Sequence, residues 1–146
     1  TSGTSATTFS PNNTCTTAQI LTFLWRAKGS PEPTEKTSPF TDIKESDYYY
    51  KAALWAYEQG LISGTAFGGD VPCNRASTMT YMWKLAGSPS TSPSAFTDVP
   101  STADYAQAVA WAVKEEITAG TSATTFSPGT TCTRAQIVTF LYRAYA

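Results

Sequence analysis

Thr118-Ala119-Gly120-Thr121-Ser122-Ala123-Thr124-Thr125-Phe126-Ser127-Pro128, followed by Cys132-Thr133-Arg134-Ala135-Gln136-Ile137, decides the fold because the chain spells it twice. The other copy is Thr1-Ser2-Gly3-Thr4-Ser5-Ala6-Thr7-Thr8-Phe9-Ser10-Pro11, then Cys15-Thr16-Thr17-Ala18-Gln19-Ile20. The match continues through Thr22-Phe23-Leu24-Trp25-Arg26-Ala27 against Thr139-Phe140-Leu141-Tyr142-Arg143-Ala144. A third, diverged copy begins at Cys73-Asn74-Arg75-Ala76, 58 residues after Cys15 and 59 before Cys132. Repetition at such a period marks units that bury their apolar faces only by stacking on one another.

A second kind of unit alternates with this one. Phe40-Thr41-Asp42-Ile43 through Trp55-Ala56 returns as Phe96-Thr97-Asp98-Val99 through Trp111-Ala112. Calling the Phe-Thr-Asp unit A and the Cys-led unit B, the order is B-A-B-A-B. Connectors rich in Pro, Gly and Ser, Lys28–Pro33 and Gly87–Pro93, stop helices and form loops. The reading is one compact domain of three repeats, at residues 1–33, 34–89 and 90–146, with the first lacking its A half.

Each unit carries one helix. Tyr49, Ala52, Ala53 and Ala56, like Tyr105, Ala108, Val109 and Ala112, recur at i, i+3, i+4, i+7 and give helix A one apolar face. Gly60 ends the first of these, whereas Glu116 takes that place in the second, ahead of Gly120. Helix B opens with a capping box, Thr16 with Gln19 and Thr133 with Gln136, and with Asn74 as cap of the middle copy. Ile20, Phe23, Leu24 and Ala27, matched by Ile137, Phe140, Leu141 and Ala144, form its stripe. The Thr- and Ser-rich loops before helix B are expected to plug the core with Phe9 and Phe126.

Composition removes whole classes of function. The 146 residues hold 10 Lys and Arg against 11 Asp and Glu, a net charge of -1, so no broad field attracts nucleic acid or an anionic membrane. Any acidic ligand must be held by local groups. No apolar run approaches the roughly 20 residues that span a bilayer. The absence of histidine removes Ser-His-Asp and Cys-His catalysis and His-ligated metals. No pair of acids recurs in a way that suggests a glycosidase. The three cysteines, one per B unit, read as small buried hydrophobes in preference to a soft-metal cluster or a disulfide. The expectation is a non-catalytic module without cofactor or metal.

The ordered set Phe-Thr-Asp-Val, a Trp-Ala helix, Gly, Thr-Phe-Ser-Pro, Thr-Arg-Ala-Gln and an apolar helix resembles the S-layer homology family over essentially the whole chain. The resemblance implies an all-α, three-lobed, pseudo-threefold bundle of helix-loop-helix repeats. It further implies an extracellular place in the bacterial cell wall or surface layer. The expected partner is secondary cell-wall polysaccharide, often bearing pyruvylated amino sugars, held in grooves between repeats.

The family's Thr-Arg-Ala-Glu motif, whose arginine contacts ligand, maps onto Thr133-Arg134-Ala135-Gln136 and, less closely, Asn74-Arg75-Ala76-Ser77. Thr17 takes the arginine's place in the first copy, and the motif's acid is replaced throughout. The family's acid after the leading Phe maps onto Asp42 and Asp98.

An arginine in the first turn of a helix suits an acidic sugar, because a guanidinium grips a carboxylate bidentately while free helix N–H donors add partial positive charge. Arg75 and Arg134 are the leading ligand contacts, with a structural bond to loop carbonyls or to Asp42 and Asp98 as the competing role. Trp55 and Trp111 are either sugar platforms or core. Asp42 and Asp98 either touch ligand or brace loops. Gly64 and Gly120 allow close backbone approach, and Ser63 and Thr121 supply hydroxyls. Two further expectations follow: the repeats serve protein-protein assembly if glycan binding is lost, and helix B of the incomplete first repeat exposes part of its stripe unless another chain, by self-association, or an upstream segment covers it.

Overall fold

In the computed structural model, residues 2–146 are described; Thr1, which heads the first repeat, lies outside them. Among the described residues the chain forms five helices and isolated bridges in place of a sheet, so it is all-α. The B helices are α1 (Thr17–Ala27), α3 (Arg75–Leu85) and α5 (Arg134–Tyr145); the A helices are α2 (Tyr50–Glu58) and α4 (Ala106–Lys114).

Local chemistry sets their ends. Thr16 and Thr133 form complete capping boxes with Gln19 and Gln136, and Asn74 accepts from the Ser77 amide. At the far end of α2, Gly60 turns left-handed at φ 74°, its N–H reaching Tyr57 O and that of Leu61 reaching Ala56 O. This is the Schellman pattern, which satisfies the orphaned last carbonyls. The end of α4 makes the same two bonds with Glu116 at φ 60°, a side chain where glycine is favoured.

The repeats meet at their cysteines. Cys15 N donates to Cys132 O at 2.8 Å, Cys132 N to Cys73 O at 2.9 Å, and Cys73 N to Cys15 O at 3.0 Å. The bonds close a ring in which each repeat gives and receives once. All three thiols are free and buried, and burial pushes Cys73 up to about 11 and Cys132 up to about 12. Both stay protonated at neutral pH and behave as small apolar groups.

Helices pair between repeats. α1 packs against α2 and α3 against α4, so each A helix covers the B helix of the preceding repeat; α1 also meets α5. The core joins Leu21, Leu24, Met79, Met82, Ile137 and Phe126, all fully buried. Of the α1 stripe, Ile20, Phe23 and Leu24 are buried, so the part that the first B helix exposes is confined to its end at Ala27. The less covered face belongs to α5, because among the described residues the main helix pairings join it to α1 and to neither A helix. Ala27, read as part of the stripe, is exposed where α1 faces α5.

Candidate functional site

The start of each B helix was the expected anion reader, and its backbone donors are already engaged. Thr17 N and Ala18 N donate to Val71 O and Gly69 O, Arg75 N and Ala76 N to Thr130 O and Pro128 O, and Arg134 N and Ala135 N to Asn13 O and Pro11 O. The third amide of each helix goes to its cap side chain. Every B helix thus docks its first turn onto the loop of the next repeat in the ring. The sequence picture of free N–H groups fails because such orphan donors need partners when buried, and a neighbouring loop supplies them.

Both motif arginines follow the same path inward. Arg75 is 3% exposed and donates Nε to Phe126 O at 2.9 Å, with its guanidinium 4.6 Å from the Phe126 ring centre and 5.5 Å from that of Phe140. Arg134 is 9% exposed and donates Nε to Phe9 O at 2.9 Å, lying 4.8 Å from the Phe9 ring and 5.4 Å from Phe23. Burial pushes the Arg75 guanidinium below its usual pKa, yet so strong a base keeps its charge. In the first copy Thr17 puts its hydroxyl on Val71 O at 3.1 Å, a neutral cross-repeat bond to the carbonyl that its own N–H also reaches.

The two aspartates hold those loops from the other side. Asp98 accepts from Phe126 N at 2.9 Å and Ser127 N at 2.8 Å; Asp42 accepts from Phe67 N at 2.8 Å and Gly68 N at 2.9 Å. These backbone bonds hold both carboxyls below the ordinary aspartate range. The shortened middle loop is braced as the longer third one is, and Phe67 is buried like Phe126, whereas Phe9 is half-buried.

The remaining expected residues do not converge on one place. Trp55 is buried in the core, while Trp111, equally enclosed, reaches the edge of a groove. Ser63 and Gly64 are exposed, and a side chain at Gly64 would meet open space. Gly120 sits against Phe96, where a Cβ would come within 2.6 Å of the ring. The Thr121 hydroxyl joins a loop network through Ser127 at 2.6 Å and Thr125 at 3.1 Å, copied by Thr4 with Ser10 and Thr8.

Trp111 opens onto a groove of about 490 Å³ between α3, α4 and α5, lined also by Lys28, Glu115, Arg143 and Tyr145. Lys28 Nζ lies 4.5 Å from the centre of the Tyr145 ring, and Arg143 donates Nη1 to Ile117 O at 3.1 Å. Two cations against one acid, beside two aromatic rings, can receive an anionic group on a partly apolar ring. A second groove, about 290 Å³, runs along the start of α3 between Tyr81, Tyr105, Ser77 and Gly129, with Asp104 as its one charge. A third, about 480 Å³, is lined by Glu32, Glu35, Glu45 and Asp47 against Lys36 and Lys51.

Sequence reasoning passed over Lys28, Arg143 and Tyr145. The available signal was the aromatic-basic pair that closes every B unit, Trp25-Arg26, Trp83-Lys84 and Tyr142-Arg143.

Compared with known proteins, residues 39–78 and 95–138 match the S-layer homology domain, more than half of the chain. The chain belongs to the S-layer homology domain family. An endoglucanase from Bacillus sp. (strain KSM-635) is 43% identical over 70 residues, which are 48% of this chain and 7% of that protein. The S-layer homology chain therefore corresponds to a small part of that relative. As a family member it is a cell-wall anchoring module associated with the cell surface, and modules of this family bind cell-wall polymers. Among the described residues no helix is long and apolar enough to cross a membrane.

Proposed function

We propose that this module anchors its parent protein by binding secondary cell-wall polysaccharide in the grooves between repeats, with acidic sugars such as pyruvylated amino sugars as ligand. The observation that carries this reading is the meeting of Lys28, Arg143, Trp111 and Tyr145 in one groove. A pyruvyl carboxylate is received by the two cations, each charge-assisted contact worth about 1.5–3 kcal/mol, while the sugar's apolar face lies on the rings. Arg75 and Arg134 serve binding as positioning residues: each fixes the loop of the adjoining repeat and so the walls between repeats. The module does no chemistry on the glycan.

A second reading, a protein-protein assembly module that no longer binds glycan, is favoured by the inward placement of both motif arginines. Pull-down on purified walls, with and without extraction of the wall polysaccharide, separates the two. Glycan binding requires capture to be lost on extraction and weakened at least tenfold by Lys28→Glu in folded protein. Capture that survives extraction unchanged overturns it in favour of assembly.

A further inference from the structure

We propose that the groove between the first connector and α2 is a docking site for a lysine side chain presented by a peptide segment. It holds about 480 Å³, a size that admits one side chain with its flanking backbone. Its apolar wall is built from Trp25, Leu54 and the rings of Tyr48 and Tyr50. Tyr48 is 62% exposed, and its ring is set edge-on against Tyr49 at 5.0 Å between centroids. The indole is fixed through Nε1, which donates to Pro31 O at 2.8 Å. Around these rings stand four carboxylates, Glu32, Glu35, Glu45 and Asp47, against the ammonium groups of Lys36 and Lys51.

Comparison within the chain separates what the fold needs from what it does not. Trp83 Nε1 donates to Pro89 O at the same 2.8 Å, so the second connector leaves its helix as the first does. Gln107 ties that connector to α4 by accepting from Thr91 N, and at the equivalent place Lys51 ties the first one to α2 through Glu32 at 2.7 Å. The Lys51–Glu32 pair is therefore bracing, and Lys36 Nζ donates to Pro33 O at 3.1 Å. The other groups have no counterpart. The places of Glu45, Asp47, Tyr48 and Tyr50 are taken in the third repeat by Ser101, Ala103, Asp104 and Ala106, and α4 forms all the same. The first connector is also two residues longer, Pro31 to Phe40 against Pro89 to Phe96, and the longer stretch carries Glu35. These rings and carboxylates are additions to a wall that folds without them, and they converge on one groove.

Their shared property is attraction for a cation on an apolar stem. Aromatic faces draw positive charge through their quadrupole, and carboxylates receive its N–H donors. A lysine side chain supplies both parts, its methylenes covering Leu54 and the rings while its ammonium turns to the carboxylates. A bare metal ion would make no use of the rings, and a carboxylated sugar meets repulsion from the excess of acid. The groove shares no lining residue with the Trp111 groove, so the inference stands independently of sugar binding.

The test is titration of the full chain with acetyl-Gly-Lys-Gly-amide, followed by the NMR signals of the Trp25 indole and the Tyr48 ring. Saturable shifts at both are expected, with a Kd on the order of 1 mM at low salt. Tyr48→Leu, which keeps an apolar side chain and removes the ring, should weaken binding about threefold, and Glu45→Gln about as much. Both residues are exposed, and circular dichroism checks that the variants fold. The same peptide with acetylated lysine, or with glutamate in place of lysine, should give no saturable shift. Failure of the lysine peptide to saturate, equal binding of the acetylated form, or affinity unmoved by either substitution overturns the proposal. Equal affinity for butylamine overturns it too, since the occupant is then a small amine and not a peptide.

Discussion

Arg75 and Asp98 grip the same residue from opposite ends: Arg75 Nε donates to the Phe126 carbonyl and Asp98 accepts from the Phe126 amide, each at 2.9 Å. They belong to different repeats and form no ion pair; the only one among the described residues is Lys51 with Glu32, on the surface. Phe126 is thereby fixed through both of its flanking peptide groups while its ring lies under the guanidinium.

Arg75→Ala is expected to destabilise the fold by about 2–3 kcal/mol, since it removes a buried charged donor and leaves the Phe126 carbonyl without it. Arg75→Lys should recover only part, because an ammonium lacks the flat face that stacks between two rings. Urea unfolding of the three proteins measures both differences; a loss under 0.5 kcal/mol, on the order of a surface substitution, would contradict the clamp.

The aspartates give the fold an acid limb. Backbone N–H bonds lower the folded-state pKa of Asp98 and Asp42, so each contributes stability that is complete above the unfolded value of about 4 and is lost as pH falls through the lowered folded value. Asp42→Asn with Asp98→Asn should therefore be less stable than the parent at pH 6, and the gap should shrink towards pH 2. Thermal melts across that range test the sign.

At the ends of the A helices the two repeats make opposite choices. Gly60→Ala should cost about 1 kcal/mol through backbone strain alone, because open space surrounds the added Cβ at φ 74°. Glu116→Gly should stabilise by about 0.5–1 kcal/mol, raising Tm by about 2–4 °C, because Glu116 holds the left-handed turn at φ 60°. A fall in Tm for Glu116→Gly would show that its side chain contributes more than its backbone strain costs.

The cysteine ring predicts chemical silence. With Cys73 and Cys132 raised to about 11 and about 12 by burial, the native thiols should resist a disulfide reagent at pH 8. Labelling should proceed at the rate of global unfolding and reach three thiols in urea. Rapid labelling of native protein would place a thiol at the surface.

What could be read in the sequence was local. Capping boxes at Thr16 and Thr133 announce their helices because cap and partner lie three residues apart, and the Ala-rich stripe of α4 shows within nine residues. The exchange of helices between repeats was hidden, since α1 and α2 would look the same whichever neighbour they covered. For Arg134 the sequence leaves two roles open, ligand contact or a bond to a loop carbonyl, because a charged residue at a helix start suits either. Its partner, the Phe9 carbonyl, lies 125 residues away, and nothing near it in sequence reveals the contact. Lys28 and Arg143 meet across repeats in the same nonlocal way.

The two classes of arginine should separate in one experiment. Arg134→Ala removes a cross-repeat bond to Phe9 and its stacking on two rings, so it should lower stability, with wall binding falling only as the folded fraction falls. Arg143→Glu changes an exposed residue that lines the Trp111 groove, so it should leave most of the stability and weaken wall binding at least tenfold. Binding isotherms on purified walls, each corrected by the folded fraction from circular dichroism, compare the two directly. Fully folded Arg134→Ala with lost affinity, beside Arg143→Glu with affinity intact, would return ligand contact to the motif arginine and remove it from the Trp111 groove.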